Sequence, residues 1–205
     1  RLVPACNTEV LKGMIIQTNS PRVRQARKTN LRLILSQHNS NCTVCVRSGN
    51  CTLQQLSHDL NIHYQPYDVQ PERSRVNLSV PIVREASKCI KCMRCVQVCD
   101  KIQGMHIWDV AGTGSRTTVD VSYNRLLKNT DCVFCGQCVT HCPTGALTVR
   151  DDTNQVLRAL ADPEITTVIQ VAPAVRVAWA EEFGLNARLG TTGRMVAALK
   201  RIGFD

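Results

Sequence analysis

Aromatic residues are scarce in this chain, at 4% of 205 residues, with three Tyr, three Phe and two Trp. Long apolar runs are also missing. The longest stretches, such as Thr167 to Ala174, are interrupted by Gln170 and Pro173, which falls far short of the ~20 apolar residues of a membrane-spanning helix. No amino-terminal secretory pattern is present. Acidic residues are in the minority, 16 against 25 Lys and Arg, for a formal net charge of +9. The densest basic run is Arg22, Arg24, Arg27, Lys28 and Arg32. It has no interleaved aromatics and matches no nucleic-acid motif, so no nucleic-acid partner is expected. Either a solvated helix face or a docking surface for an acidic electron carrier accounts for it. Gly112 and Gly114 lack the rest of a nucleotide-loop fingerprint, so a turn is expected there.

What is abundant is cysteine. Of twelve, eleven fall in short-spaced motifs, a pattern of metal ligation and not of a disulfide framework. Ligating thiolates must stay reduced, so a reducing, cytoplasmic compartment and no membrane insertion are expected. The chain is organised around Cys89-x2-Cys92-x2-Cys95-x3-Cys99 and Cys132-x2-Cys135-x2-Cys138-x3-Cys142-Pro143. This repeated spacing is that of two-cluster bacterial ferredoxins, in which the fourth cysteine of each run ligates the other cluster. Cluster one is then expected on Cys89, Cys92, Cys95 and Cys142. Cluster two is expected on Cys132, Cys135, Cys138 and Cys99. Structural zinc favours two ligand pairs with a longer gap and does not fit this spacing. Anionic clusters would offset part of the formal positive charge. Lys88, Lys91 and Arg94 flank the first run; they either favour a reduced cluster or are simply exposed.

Upstream lies His38-x3-Cys42-x2-Cys45-x5-Cys51, a four-donor set. By spacing alone it suits a four-iron cluster or a Cys3His zinc site equally. Gly49 permits a tight turn before Cys51. Cys6 taken alone reads as a buried thiol. Its position also looks like the late fourth ligand of a plant-type two-iron ferredoxin, which makes residues 1–19 a remnant of such a domain. His141 is either a loop histidine or a donor near a cluster; His58, His63 and His106 have no partner pattern.

The element signals run in order. Gly13 marks a turn followed by a strand. Ser20-Pro21 opens a helix through about Ser36, with Val23, Ala26, Leu31, Ile34 and Leu35 as its apolar face. Thr52 caps a second helix with Leu53, Leu56 and Leu60 inward. Tyr64 to Arg75 reads as a loop. Strands are expected at Pro81–Val83, His106–Val110, Arg116–Val121 and Gly145–Val149, with Trp108 as packing. Asp151 or Asp152 caps a helix through Leu160, with Val156, Leu157 and Leu160 inward. Thr166–Val171 reads as a buried strand, then Ala174–Phe183 and Met195–Ile202 as helices, the latter opened by Thr191 or Thr192. The expected fold class is α+β. A two-iron remnant (1–19), a small helical His/Cys3 domain (20–80) and a ferredoxin-like domain with two [4Fe-4S] clusters (81–152) precede the start of an α/β domain (153–205). Because the first residue is Arg and Asp205 closely follows a helix, a piece of a longer protein is expected.

The order of these motifs resembles the amino-terminal part of the large peripheral subunit of respiratory complex I, of iron-only hydrogenases and of some NAD-linked formate dehydrogenases. In that group the His-Cys motif binds a four-iron cluster, which implies the same for His38, Cys42, Cys45 and Cys51. The tail discriminates. Ala172-Pro-Ala-Val-Arg176, Glu181-Glu-Phe-Gly184 and Gly193 to Asp205 resemble the opening of the iron-only hydrogenase catalytic domain. The resemblance implies an electron relay within an oxidoreductase acting on hydrogen, with no catalytic residue in these 205. It implies three [4Fe-4S] clusters here, with a [2Fe-2S] cluster on Cys6 and a hydrogen-activating H-cluster in the full-length protein. The implied partners are NAD(P)-linked flavin and iron–sulfur subunits or ferredoxin, in a hetero-oligomer. The alternatives are a relay region of a formate dehydrogenase or complex I-like subunit, or a non-enzymatic electron carrier.

Overall fold

The computed structural model describes residues 1–68, 70–72 and 76–205. Part of the loop expected over Tyr64 to Arg75 therefore lies outside the described residues; the rest of it carries no helix or strand. Backbone contacts divide the chain into two units, Arg1–Arg150 and Asp151–Asp205. Among the described residues no helix is long and apolar enough to cross a membrane.

In the first unit, residues 1–19 turn at Gly13, but the strand expected after it is missing. A strand needs a ladder partner, and none is offered: Ile15 is 91% exposed. Helix α1 (Pro21–Leu35) begins as its sequence dictates. The Ser20 hydroxyl accepts from the Val23 N–H at 3.4 Å, and Pro21 takes the first helical position, where no N–H is needed. Of the expected apolar face, Leu31 is buried while Ile34 stays exposed. Arg22, Arg24 and Arg27 are exposed as well, as a solvated face requires. Helix α2 (Thr52–Asp59) is capped one residue earlier than expected. Cys51, not Thr52, holds the cap position, and only Leu53 of its apolar residues is buried.

Two small antiparallel sheets follow. Strand β1 (Ile82–Arg84) pairs with β4 (Leu147–Val149), Val83 opposite Thr148. Strand β2 (Trp108–Ala111) pairs with β3 (Thr118–Val121), Trp108 opposite Val121. Their inner residues share one core: Val80, Ile82, Ile107, Trp108, Val119, Val121, Leu127 and Leu147 pack with Cys99, Cys138 and Cys142. Two-stranded ribbons are marginal alone, so both sheets rely on this shared core.

The second unit contains α5 (Thr153–Leu160), α6 (Pro173–Glu182) and α7 (Thr192–Ile202), following α3 (Arg94–Gln97) and α4 (Gln137–Thr140) of the first. The Asp151 carboxylate accepts from the Thr153 N–H at 2.9 Å at the start of α5. Thr191 caps α7 through the Arg194 N–H. Two expectations need correction. Val156 and Leu157 are exposed, not inward. Thr166–Val171 forms no ladder; Thr167 bonds Asp205 instead, its N–H reaching the carboxylate at 2.6 Å, and Val168 is 87% exposed. A β-branched run becomes a strand only beside another strand, and among the described residues of this unit there is none.

Candidate iron–sulfur sites

The two cysteine runs fold alike. In each, the residues on either side of the middle cysteine take left-handed backbone: Lys91 and Met93 around Cys92, Phe134 and Gly136 around Cys135. The third cysteine then enters a short helix, α3 or α4. Paired left-handed residues curl the chain, so successive thiols face inward. Only Gly136 adopts this conformation without strain; three bulky residues holding it mark a backbone over-determined by its surroundings. After α3 the chain passes into a π-helical turn, Val98–Ile102, which contains Cys99. Such wide turns frequently present functional side chains.

The result is two separate cavities. One is lined by Cys89, Cys92, Cys95 and Cys142, with Met93, Pro143 and Leu147 among its apolar walls. The other is lined by Cys132, Cys135, Cys138 and Cys99, with Ile82, Met105 and Ile107. In each case the fourth thiol belongs to the other run. The electrostatics follow the same partition. Burial pushes the Cys95 thiol up to about 12, and the neighbouring Cys89, Cys142 and Cys92 add to it. Burial pushes Cys138 up to about 11; the Trp108 indole opposes this, and Cys132, Cys135 and Cys99 reinforce it. Cys89 and Cys132 are raised by burial too, opposed by the amide N–H groups of Lys91 and Phe134 respectively. Backbone N–H groups reach two sulfurs directly, Lys91 to Cys89 and Ile107 to Cys99, both at 3.4 Å. Among the described residues no three His, Cys, Asp or Glu side chains are gathered tightly enough to hold a single metal ion.

His38 is 7% exposed, and its buried Nδ1 has no hydrogen-bond partner. Burial holds the imidazole below its ordinary pKa, and the Lys88 ammonium works in the same direction against the Lys88 carbonyl and Glu85. Both effects favour the uncharged ring, and only a nitrogen carrying a lone pair can ligate a metal. Cys42 and Cys45 share one 3-10 turn, with the Cys45 N–H bonded to the Cys42 carbonyl at 3.2 Å. This loop docks on the second cysteine run. Arg47 donates to the Cys142 carbonyl at 2.7 Å. Asn39 N–H to Ser87 O at 2.7 Å and Lys91 Nζ to Gln37 Oε1 at 2.7 Å fasten the His38 segment to the first run. Gly145 permits the approach: a Cβ there would meet Val46 Cγ2 at 2.9 Å and Arg47 Cγ at 3.0 Å, on a backbone with φ +69°. Gly145→Ala is expected to destabilise the first unit by about 1–3 kcal/mol, measured by denaturant unfolding.

Cys6 corrects an expectation, being exposed and not buried. Among the flanking cations, Lys88 is paired with Glu85 at 2.7 Å and Arg94 is exposed. His141 bonds locally, Nδ1 to the Gln137 carbonyl at 2.8 Å, and His106 pairs with Asp100. Two further residues acquire a place at the sites through the fold. Arg84 lines the Cys89 cavity and lowers the Cys89 thiol. Its largely sequestered guanidinium donates to Val119 O and Thr118 Oγ1, both at 2.7 Å, and pairs with Asp120 and Glu72. Trp108 is 4% exposed and lines both cavities. An arginine at a strand end and a tryptophan at a strand start give no sequence signal of either role.

Three family models match successive stretches. Residues 27–66 match the NADH-ubiquinone oxidoreductase-G iron-sulfur binding region, residues 88–146 the 4Fe-4S dicluster domain, and residues 165–205 the iron only hydrogenase large subunit, C-terminal domain. The NADP-reducing hydrogenase subunit HndD of Solidesulfovibrio fructosivorans is 41% identical over the whole chain. Iron hydrogenase 1 of Clostridium pasteurianum is 31% identical, again over the whole chain. The NADPH-Fe(3+) oxidoreductase subunit alpha of Geobacter sulfurreducens is 34% identical over 72% of it. The chain spans only 35%, 36% and 17% of these relatives. A crystal structure of an NAD+-reducing [NiFe]-hydrogenase in its H2-reduced state matches 64% of this chain and 57% of its own, with TM-score 0.59 and 23% identity. That likeness speaks to the fold alone.

Proposed function

Because this chain is similar along its whole length to an NADP-reducing hydrogenase subunit and to an iron hydrogenase, and residues 165–205 match the iron only hydrogenase large subunit, we propose that it is the electron-relay region of an iron-only hydrogenase. The observation that carries the reading is the pair of cavities, each lined by four cysteines in crossed sets. Cys89, Cys92, Cys95 and Cys142 hold one [4Fe-4S] cluster; Cys132, Cys135, Cys138 and Cys99 hold a second. The spread of four thiols around each cavity supports a polynuclear cluster over a single zinc ion. His38, Cys42, Cys45 and Cys51 hold a third, supported by the buried imidazole nitrogen that has no hydrogen-bond partner and by the family-model match over 27–66. In the full-length protein Cys6 is the fourth ligand of a [2Fe-2S] cluster, and an H-cluster lies beyond residue 205.

When bound, the clusters supply reversible one-electron transfer between that catalytic centre and NAD(P)-linked flavin subunits or ferredoxin. The chain's residues fix positions, exclude water and set potentials. The bonds from Arg47, Asn39 and Lys91 hold the His38 loop beside the Cys89 set, which makes that set its neighbour in the relay. Within the chain the domains are 1–19, 20–80, 81–152 and 153–205, the last opening the catalytic domain. A cytoplasmic hetero-oligomer is the setting. Hydrogen-dependent dye reduction by the maturated full-length protein tests the reading. Activity is expected; its absence in a fully loaded protein leaves a formate dehydrogenase, complex I-like or non-enzymatic relay. A second test is local. Arg84→Met removes a cation beside the Cys89 set, so the potential of that cluster should fall while the other holds, in an EPR-monitored redox titration.

A further inference from the structure

Trp108 is the one described residue that lines both cysteine cavities. It reaches that place through the hairpin β2–β3, which occupies the 32-residue interval between the cysteine runs. The backbone around it is pinned from several sides. Ser122 donates its N–H to Ile107 O and its hydroxyl to His106 O, both at 2.9 Å. Ile107 donates to Cys99 Sγ at 3.4 Å, and Trp108 faces Val121 across the ladder. Trp108 sits in the core with Cys99, Cys138 and Cys142.

We propose that Trp108 is a positioning residue of the relay: its ring supplies the packed atoms between the two clusters. This rests on the reading of the eight cysteines as two [4Fe-4S] sites. In each transfer one electron leaves one reduced cluster and arrives at the other, oxidised one. Trp108 itself is neither oxidised nor reduced. Tunnelling falls steeply through empty space and less steeply through packed, bonded atoms, so a ring touching both cavities shortens the effective gap.

Trp108→Leu in the full-length protein is expected to slow electron exchange between the two clusters severalfold, read by NMR of the half-reduced protein. Trp108→Phe keeps a ring between the cavities and should hold exchange near the wild-type rate. The potentials of both clusters, followed by EPR-monitored redox titration, should stay close to the wild type in both variants, so a slower exchange is not a change of driving force. Unchanged exchange in Trp108→Leu, or an equal loss in Trp108→Phe, overturns the bridging role. Iron and sulfide content of the same samples reports separately on the cluster reading: absent clusters in the wild type overturn both, whereas full clusters with unchanged exchange overturn Trp108 alone.

Discussion

Cys142→Ser, a change in the second cysteine run, is expected to abolish the cluster of the first. Cys142 lines its cavity with Cys89, Cys92 and Cys95, and the Cys95 thiol is raised by Cys89, Cys142 and Cys92 but by no thiol of the Cys132 triplet. Each [4Fe-4S] site needs its four thiolates, so one serine costs about four iron atoms per chain. Cys99→Ser should mirror this on the Cys132 set, whose cavity Cys99 completes. Double variants give the clearest reading. Cys142→Ser with Cys92→Ser should lose no more iron than either alone, because both sit on one cluster. Cys142→Ser with Cys135→Ser should lose about eight iron atoms, because two clusters fail. If each run held its own cluster, these two results would be exchanged. Iron analysis with EPR of the reduced protein checks it.

Removal of iron is the second large effect expected. Cys99, Cys138 and Cys142 are members of the core that joins the two sheets, and Cys89, Cys95 and Cys132 pack against it. Take the clusters away and the remaining inventory is two short ribbons and two single-turn helices. Such pieces are not stable alone. Metal binding is then folding free energy, on the order of 10 kcal/mol where a whole structural site is involved. The buried thiols sharpen the point. With Cys95 pushed up to about 12 and Cys138 to about 11, the iron-free thiols are protonated at neutral pH, and loading must release those protons. Chelation under anaerobic conditions should therefore abolish amide-exchange protection across β1 to β4, and iron with sulfide should restore it. Protection that survives chelation would mean the core stands without its clusters.

Much of this molecule was legible in its sequence because local chemistry dictates it. Ser20-Pro21 announces α1, Gly184 and Gly203 stand where helices stop, and alternating residues announce the β2–β3 hairpin. The cysteine spacing names the chemistry, since short-range geometry around a cluster fixes short-range spacing. What sequence could not give depends on distant partners. Thr166–Val171 has the composition of a buried strand but meets only Asp205 through Thr167. Arg84 reads as a strand-end cation; its place beside Cys89 goes with its bonds to Val119 and Thr118 of β3. Trp108 reads as packing, and it does pack; that it touches both cavities follows from where the hairpin folds. The left-handed Lys91, Met93 and Phe134 violate local preference, and violations of this kind are expected where function overrides propensity.

The central claim is that this stretch of 205 residues holds three four-iron clusters on His38 and eleven cysteines. Mössbauer spectroscopy of the 57Fe-reconstituted chain, together with iron and sulfide analysis, tests it most directly. The account predicts about twelve iron and twelve sulfide per chain, all iron in [4Fe-4S] environments, and about eight of each in His38→Ala. Zinc at the His38 set, or iron near eight in the unaltered chain, would contradict it.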